Sequence, residues 1–128
     1  MSREAAPLPR AMDVLGQLDA TAPEAVRARL EALAPEAAEI IMGYAFTDVL
    51  GRAGLDLRTR EMLTVAMLSA MGTAPDQLAF HMRAARATGV RRDEIVEIVL
   101  QVSVYAGVPA AMNAVTAALA AFDDPGES

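Results

Sequence analysis

Residues 57–71 read LRTREMLTVAMLSAM, and this stretch decides the fold. After Arg58, Arg60 and Glu61, the residues Met62, Leu63, Val65, Ala66, Met67, Leu68, Ala70 and Met71 leave almost no polar face. A helix that is apolar all round is a central helix, covered on every side. The pattern therefore predicts such a helix over 57–71, capped by Asp56. Other helices must surround it.

Punctuation supplies them on both sides. Thr21-Ala22-Pro23-Glu24 has the spacing of a capping box with Pro in the first turn, predicting a helix from about Pro23 to Leu33. Pro35 restarts the chain for a second helix to Leu50, which Gly51 and Gly54 stop. Beyond the central helix, the Gly72 turn and Thr73-Ala74-Pro75-Asp76 repeat the cap pattern and open a helix that Gly89 closes. The next, from about Arg92 to Tyr105, puts Ile95, Val96, Val99, Leu100, Val102 and Val104 inside, with Asp93, Glu94, Glu97 and Gln101 outside. Gly107 and Pro109 break it, and Pro109 starts an Ala-rich helix to about Phe122. The expected architecture is an all-α, compact six-helix bundle spanning residues 21–122, with sequential neighbours mostly antiparallel. Residues 1–20 read as an N-terminal arm or short helix, and residues 123–128 as a frayed tail.

Composition narrows the function classes. At 128 residues the chain suits one domain, and 4% aromatic content without Trp favours close-packed helices over a β-sandwich. A mean hydropathy of +0.28 is high for a small soluble monomer, so a homo-oligomer is expected. With no cysteine, disulfides, thiolate metal sites and thiol redox chemistry are excluded. A formal charge of −6 argues against nucleic-acid or anionic-membrane partners, both of which require a positive face. The N-terminus lacks signal-peptide features, and no apolar stretch reaches the ~18 residues of a membrane span, so a cytoplasmic location is expected. All eleven basic residues are Arg. That rules out Schiff-base chemistry, and it reads either as a codon preference or as a supply of planar forks for carboxylates.

Two residues stand out for chemistry. His81, the single histidine, falls between Leu78 and Ala85 on a helical wheel, opposite Arg83 and Arg86, and so points inward. It is either a buried neutral histidine bonded to a backbone carbonyl or an acid/base group. One histidine without cysteine makes a catalytic zinc site improbable, and no metal is expected. Glu61 opens the apolar central helix; it either serves the helix N-terminus and a neighbouring Arg, or stands as a carboxylate at the edge of a low-dielectric site. Glu61 lies ten residues before Met71 and His81 six after Pro75. At ~1.5 Å per residue the two sit roughly one turn out of level across an antiparallel hairpin, so a water, a substrate or a second subunit is expected to bridge them unless the helices cross steeply. Asp19, Asp48, Glu36, Glu39, Glu94 and Glu97 read as solvated helix faces, and the eight Met as core filler. No phosphate loop, nucleophile elbow or dinucleotide fingerprint occurs.

Three blocks, GRAGLDLRTREMLTVAML, LAFHMRAARATGVRRDEIVEIVLQ and YAGVPAAMNA, together resemble the carboxymuconolactone decarboxylase family, which includes AhpD-like alkylhydroperoxidases. The resemblance covers about residues 33–122. It implies an all-helical fold, assembly as trimers or hexamers, active sites at subunit contacts and no organic cofactor. The peroxidase branch relays protons through a Glu, a Cys-x-x-Cys pair and a His; Glu61 and His81 match its ends, while Thr73 and Asp76 lie about where the cysteines would fall. Thiol peroxidase activity is thus excluded, and the HMRAA block around His81 resembles the decarboxylases. In the protocatechuate-pathway decarboxylases the position of Glu61 is often Ser, which leaves a different lactone or keto acid open.

The resemblance implies a lyase acting on a small anionic lactone or related carboxylic acid. Its site must hold a carboxylate, exclude water and deliver one proton. His81 and Glu61 are the expected catalytic pair, Arg58 or Arg60 the expected carboxylate clamp, and Tyr105 a hydrogen-bond donor to substrate. The alternatives are an isomerase or cyclase using the same Glu/His site, and a non-enzymatic helical oligomer.

Overall fold

The computed structural model of the chain describes residues 7–123, and every regular element among them is helical. The helices are α1 (Pro7–Leu18), α2 (Ala22–Leu33), α3 (Ala37–Met42), α4 (Leu57–Met71), α5 (Pro75–Ala87), α6 (Arg92–Ala106) and α7 (Val108–Phe122). Helix α3 runs on as a wider-wound π-helical stretch over Gly43–Leu50. The described chain thus has seven α-helices where six were expected. The added one is α1, whose residues read as an arm or a short helix. The tail expected from Asp123 onward lies, from residue 124, outside the described residues.

The chain falls into two compact units divided between Leu57 and Arg58. In the first, Ala11, Val14, Leu15 and Leu18 form the buried stripe of α1 at helical spacing, and Ala37, Ala38 and Met42 are the buried residues of α3. The Arg10 guanidinium donates to the Gly51 carbonyl at 3.2 Å, tying α1 to the end of the π-helical stretch. Thr21 does not cap α2 as its sequence suggested. Its N–H and hydroxyl both donate to Asp19 Oδ1, at 2.8 and 2.7 Å, because Asp two residues upstream offers a charged acceptor within a tight turn. Ala74, likewise, stands at the start of α5 without a side-chain cap.

The second unit holds the larger core: Val65, Leu78, Met82, Ala85, Val90, Ile95 and Val99 pack with Ala111, Ala114, Ala117, Ala118 and Ala121. The alanine face of α7 has so little side-chain bulk that α5 and α6 both pack closely along it. Arg86 and Arg92 lie over the Phe122 ring, 5.8 and 4.5 Å from its centroid, and fasten the end of α7 by cation–π contact. The turn between α6 and α7 depends on Gly107, whose φ of 95° and ψ of 160° suit glycine alone.

Two expectations of burial are corrected. Helix α4 is not covered on every side: only Glu61, Val65 and Ser69 are buried, while Leu63, Met67 and Met71 are 46–58% exposed. On α6, Ile95, Val99 and Val102 turn inward, but Val96, Leu100 and Val104 face out. The reason is the same in both cases. One short chain has too few helices to cover every apolar face its sequence contains.

Candidate active site

Glu61 occupies the second turn of α4 and is completely buried, on the same stripe as Val65 and Ser69. His81 sits in the middle of α5, flanked by the buried Leu78, Met82 and Ala85, and its side chain retains 14% exposure. Their side chains meet directly, with His81 Nδ1 2.6 Å from Glu61 Oε1. The bridging group expected from helix levels is therefore not needed. Level counting assumed two rods lying side by side, whereas α4 makes no extended close backbone approach to another helix among the described residues.

The electrostatics of this pair follow from its burial. An ionised carboxylate only accepts, so it draws the imidazole proton to Nδ1 and leaves Nε2 as the ring's second working nitrogen. Glu61 Oε2 is buried too and has no hydrogen-bond partner in the described protein. Such an oxygen is costly to leave unpaired, by roughly 1–3 kcal/mol or more, and so favours a hydrogen-bond donor group. The Phe80 ring stands edge-on to the imidazole at 5.0 Å and 84°, adding an apolar wall.

Arg58 and Arg60 sit on the first turn of α4, both half-buried. The Arg58 guanidinium is occupied: Nη2 pairs with Glu94, Nε donates to the Gly89 carbonyl at 3.3 Å, and Nη1 faces the Met62 sulfur at 3.8 Å. Tyr105, at the end of α6, is 88% exposed. Glu94, read as part of a solvated face, is instead the hub of this corner. Its Oε1 also accepts from the Arg91 N–H at 2.9 Å. That backbone bond, together with the Arg58 guanidinium, holds its carboxyl below the usual carboxylate range. Its position at the third residue of a helix, after Arg91 and Arg92, was the one signal for this in the sequence.

A cavity of about 420 Å³ opens beside the α4–α5 turn, lined by Leu68, Ser69, Leu78, Ala79, Asn113 and Thr116 with small residues between them. No lining residue is ionisable, and neither Glu61 nor His81 belongs to it. Ser69, wholly buried, donates its hydroxyl proton to the Val65 carbonyl at 2.7 Å. Among the described residues no three His, Asp or Glu side chains gather in a way that would hold a metal ion, and no helix is long and apolar enough to cross a membrane.

Fold and site together define a helical protein with a buried carboxylate–imidazole pair equipped for proton transfer and no thiol. The chain belongs to the carboxymuconolactone decarboxylase family, whose model matches residues 35–120. It is 41% identical over 86 residues to 4-carboxymuconolactone decarboxylase of Acinetobacter baylyi, a match covering 67% of this chain and 63% of that enzyme. It is 31% identical over 99 residues to an uncharacterized 15.0 kDa protein from the nqo9-nqo10 intergenic region of Paracoccus denitrificans, covering 77% and 74%. With a nitrosuccinic acid decarboxylase of Metarhizium robertsii the identity is 37% over 76 residues, covering 59% and 52%. The chain thus spans less than two thirds of the length of either relative named as a decarboxylase.

Proposed function

We propose that the protein is a cofactor-independent carboxy-lyase that removes CO2 from a small anionic acid, either 4-carboxymuconolactone or a close relative. The observation that carries this reading is the buried Glu61–His81 hydrogen bond in a member of this family. Two relatives named as decarboxylases support the reaction type. Their named substrates share a feature: the electron pair left by CO2 can spread into a neighbouring acceptor, a lactone carbonyl in one and a nitro group in the other. A substrate with its own electron sink needs no organic cofactor to supply one.

In this mechanism the bond to the carboxylate carbon breaks, CO2 departs, and the electron pair stays on the substrate as a delocalised anion. His81, protonated on both nitrogens, delivers the Nε2 proton to carbon. Glu61 keeps the ring oriented through Nδ1 and stabilises the imidazolium between turnovers. Solvent then returns one proton to His81, so each CO2 released consumes one proton. Arg60, half-buried and adjacent to Glu61 in the chain, is assigned to a substrate carboxylate. The exposed apolar side chains of α4 and α6 support a homo-oligomer, a trimer or hexamer, in which a second copy shields the site and brings Tyr105 to substrate.

The test is incubation with 4-carboxymuconolactone, without added metal or cofactor, following lactone absorbance and CO2. Turnover that disappears in His81→Ala is the expected result. Full activity in a folded His81→Ala protein would overturn the assignment, and a rearranged product without CO2 would point to an isomerase.

A further inference from the structure

We infer that Arg58 and Glu94 form a positioning pair that holds the Glu61 carboxylate against His81, and that Arg58 is not a substrate ligand. The inference rests on the Glu61–His81 reading of the site. Its starting point is that α4 packs into this unit's core through Val65, with Met62 and Leu68 against it, while the turn before Glu61 is tied to its surroundings by polar contacts. The side chains of that first turn, residues 57–60, are only half-buried, so its polar contacts add to the packing that begins at Glu61. Arg58 lies one turn before Glu61, so any twist or slide of that turn carries the Glu61 carboxylate with it. Its Nη2 pairs with Glu94 on the first turn of α6, and its Nε donates to the Gly89 carbonyl in the α5–α6 turn. Glu94 is itself fixed by the Arg91 N–H. A planar guanidinium gripped at two of its nitrogens, Nη2 and Nε, resists rotation, which a lysine could not do. The chain of contacts therefore runs from the α5–α6 turn through Arg58 to the turn that bears Glu61.

The two roles for Arg58 give opposite results in Glu94→Gln. If Arg58 were a clamp restrained by Glu94, weakening their pair would free it, lowering KM and sparing kcat. As a positioning pair, Glu94→Gln and Arg58→Gln should each lower kcat about 10-fold or more with little change in KM, the range seen for groups that orient a working side chain. A second readout needs no substrate. His81 is the single histidine, so its ring 15N resonances report the tautomer that Glu61 imposes. In wild type these resonances should depend on Glu61, and Glu94→Gln and Arg58→Lys should move them toward the Glu61→Gln values while the helical circular dichroism is unchanged. Resonances left at wild-type values in both folded variants, with Glu61→Gln shifted, would overturn the positioning role and leave the Glu61–His81 pair standing. Resonances insensitive to Glu61→Gln would instead remove the pair itself, and this inference with it.

Discussion

The imidazole of His81 and the carboxylate of Glu61, twenty residues apart, are joined by a 2.6 Å hydrogen bond whose acceptor residue is wholly buried. The arrangement is asymmetric. Glu61 is enclosed, with its second oxygen unpaired, while His81 keeps some contact with the exterior. In the proposed mechanism, therefore, His81 is the group that meets substrate and Glu61 acts through it.

This asymmetry separates the two residues kinetically. Removing the imidazole in His81→Ala should cost about 10²–10⁴ in kcat, the span of one positioned acid/base group. Glu61→Gln keeps the shape and one acceptor but loses the charge opposite the imidazolium, and should cost about 10–100-fold. Steady-state assays on folded variants give both numbers. A Glu61→Gln loss larger than that of His81→Ala would reverse the assigned roles.

Packing around the alanine face of α7 gives a stability test independent of chemistry. Ala114 is fully buried in the core that α7 shares with α5 and α6. Ala114→Leu inserts extra methyl groups where neighbouring side chains already touch, and should destabilise the protein by about 1–3 kcal/mol. Urea unfolding measures it. A neutral or stabilising result would mean that the alanine face has room to spare.

Much of this was legible in the sequence. The helix breaks at Gly72, Gly89 and Gly107 punctuate the chain visibly, and all three adopt positive φ. The boundaries of α4 could be read to the residue because its apolar run is long and its flanks are not. What stayed hidden was relational. Helical wheels turn Glu61 and His81 inward but cannot set the crossing of their helices, and that crossing decides whether they touch. The same wheels made α4 and α6 too buried, because periodicity records which residues are apolar without counting how many helices are present to cover them. Glu94 was missed since its partners, Arg58 and the Arg91 N–H, depend on the α5–α6 turn and on a helix 36 residues away.

Two glycine-to-alanine changes should have opposite signs. Gly107→Ala forces a side chain onto a φ of 95° with ψ of 160°, at a cost of about 1–3 kcal/mol. Gly16 lies within α1, and a Cβ there would meet only Pro23 Cγ at an ordinary 3.7 Å. Gly16→Ala should therefore stabilise by about 0.5–1 kcal/mol through helix propensity. Paired thermal melts decide the matter. A destabilising Gly16→Ala would show that α1 is not helical at that point in solution.

The Glu94 carboxyl sets a pH dependence whose sign is fixed. The Arg91 N–H and then Arg58 lower its folded value below the ordinary 4.5, so the folded protein holds the ionised form more tightly than the unfolded chain does. The resulting stability is fully present above about pH 5 and is lost as pH falls through the lowered folded value. Glu94→Gln removes the titrating group. Its Tm should lie below that of wild type near neutral pH, and the gap should narrow as both proteins are acidified from pH 5 to pH 3. The salt dependence should follow, since the Arg58 contribution is a charge pair at a partly exposed corner: the neutral-pH gap shrinks in 1 M NaCl. A gap that stayed constant down to pH 3 would mean that the substitution acts by packing or by the lost geometry of the Arg91 bond, and that the carboxylate charge contributes nothing to holding α4 against the α5–α6 turn.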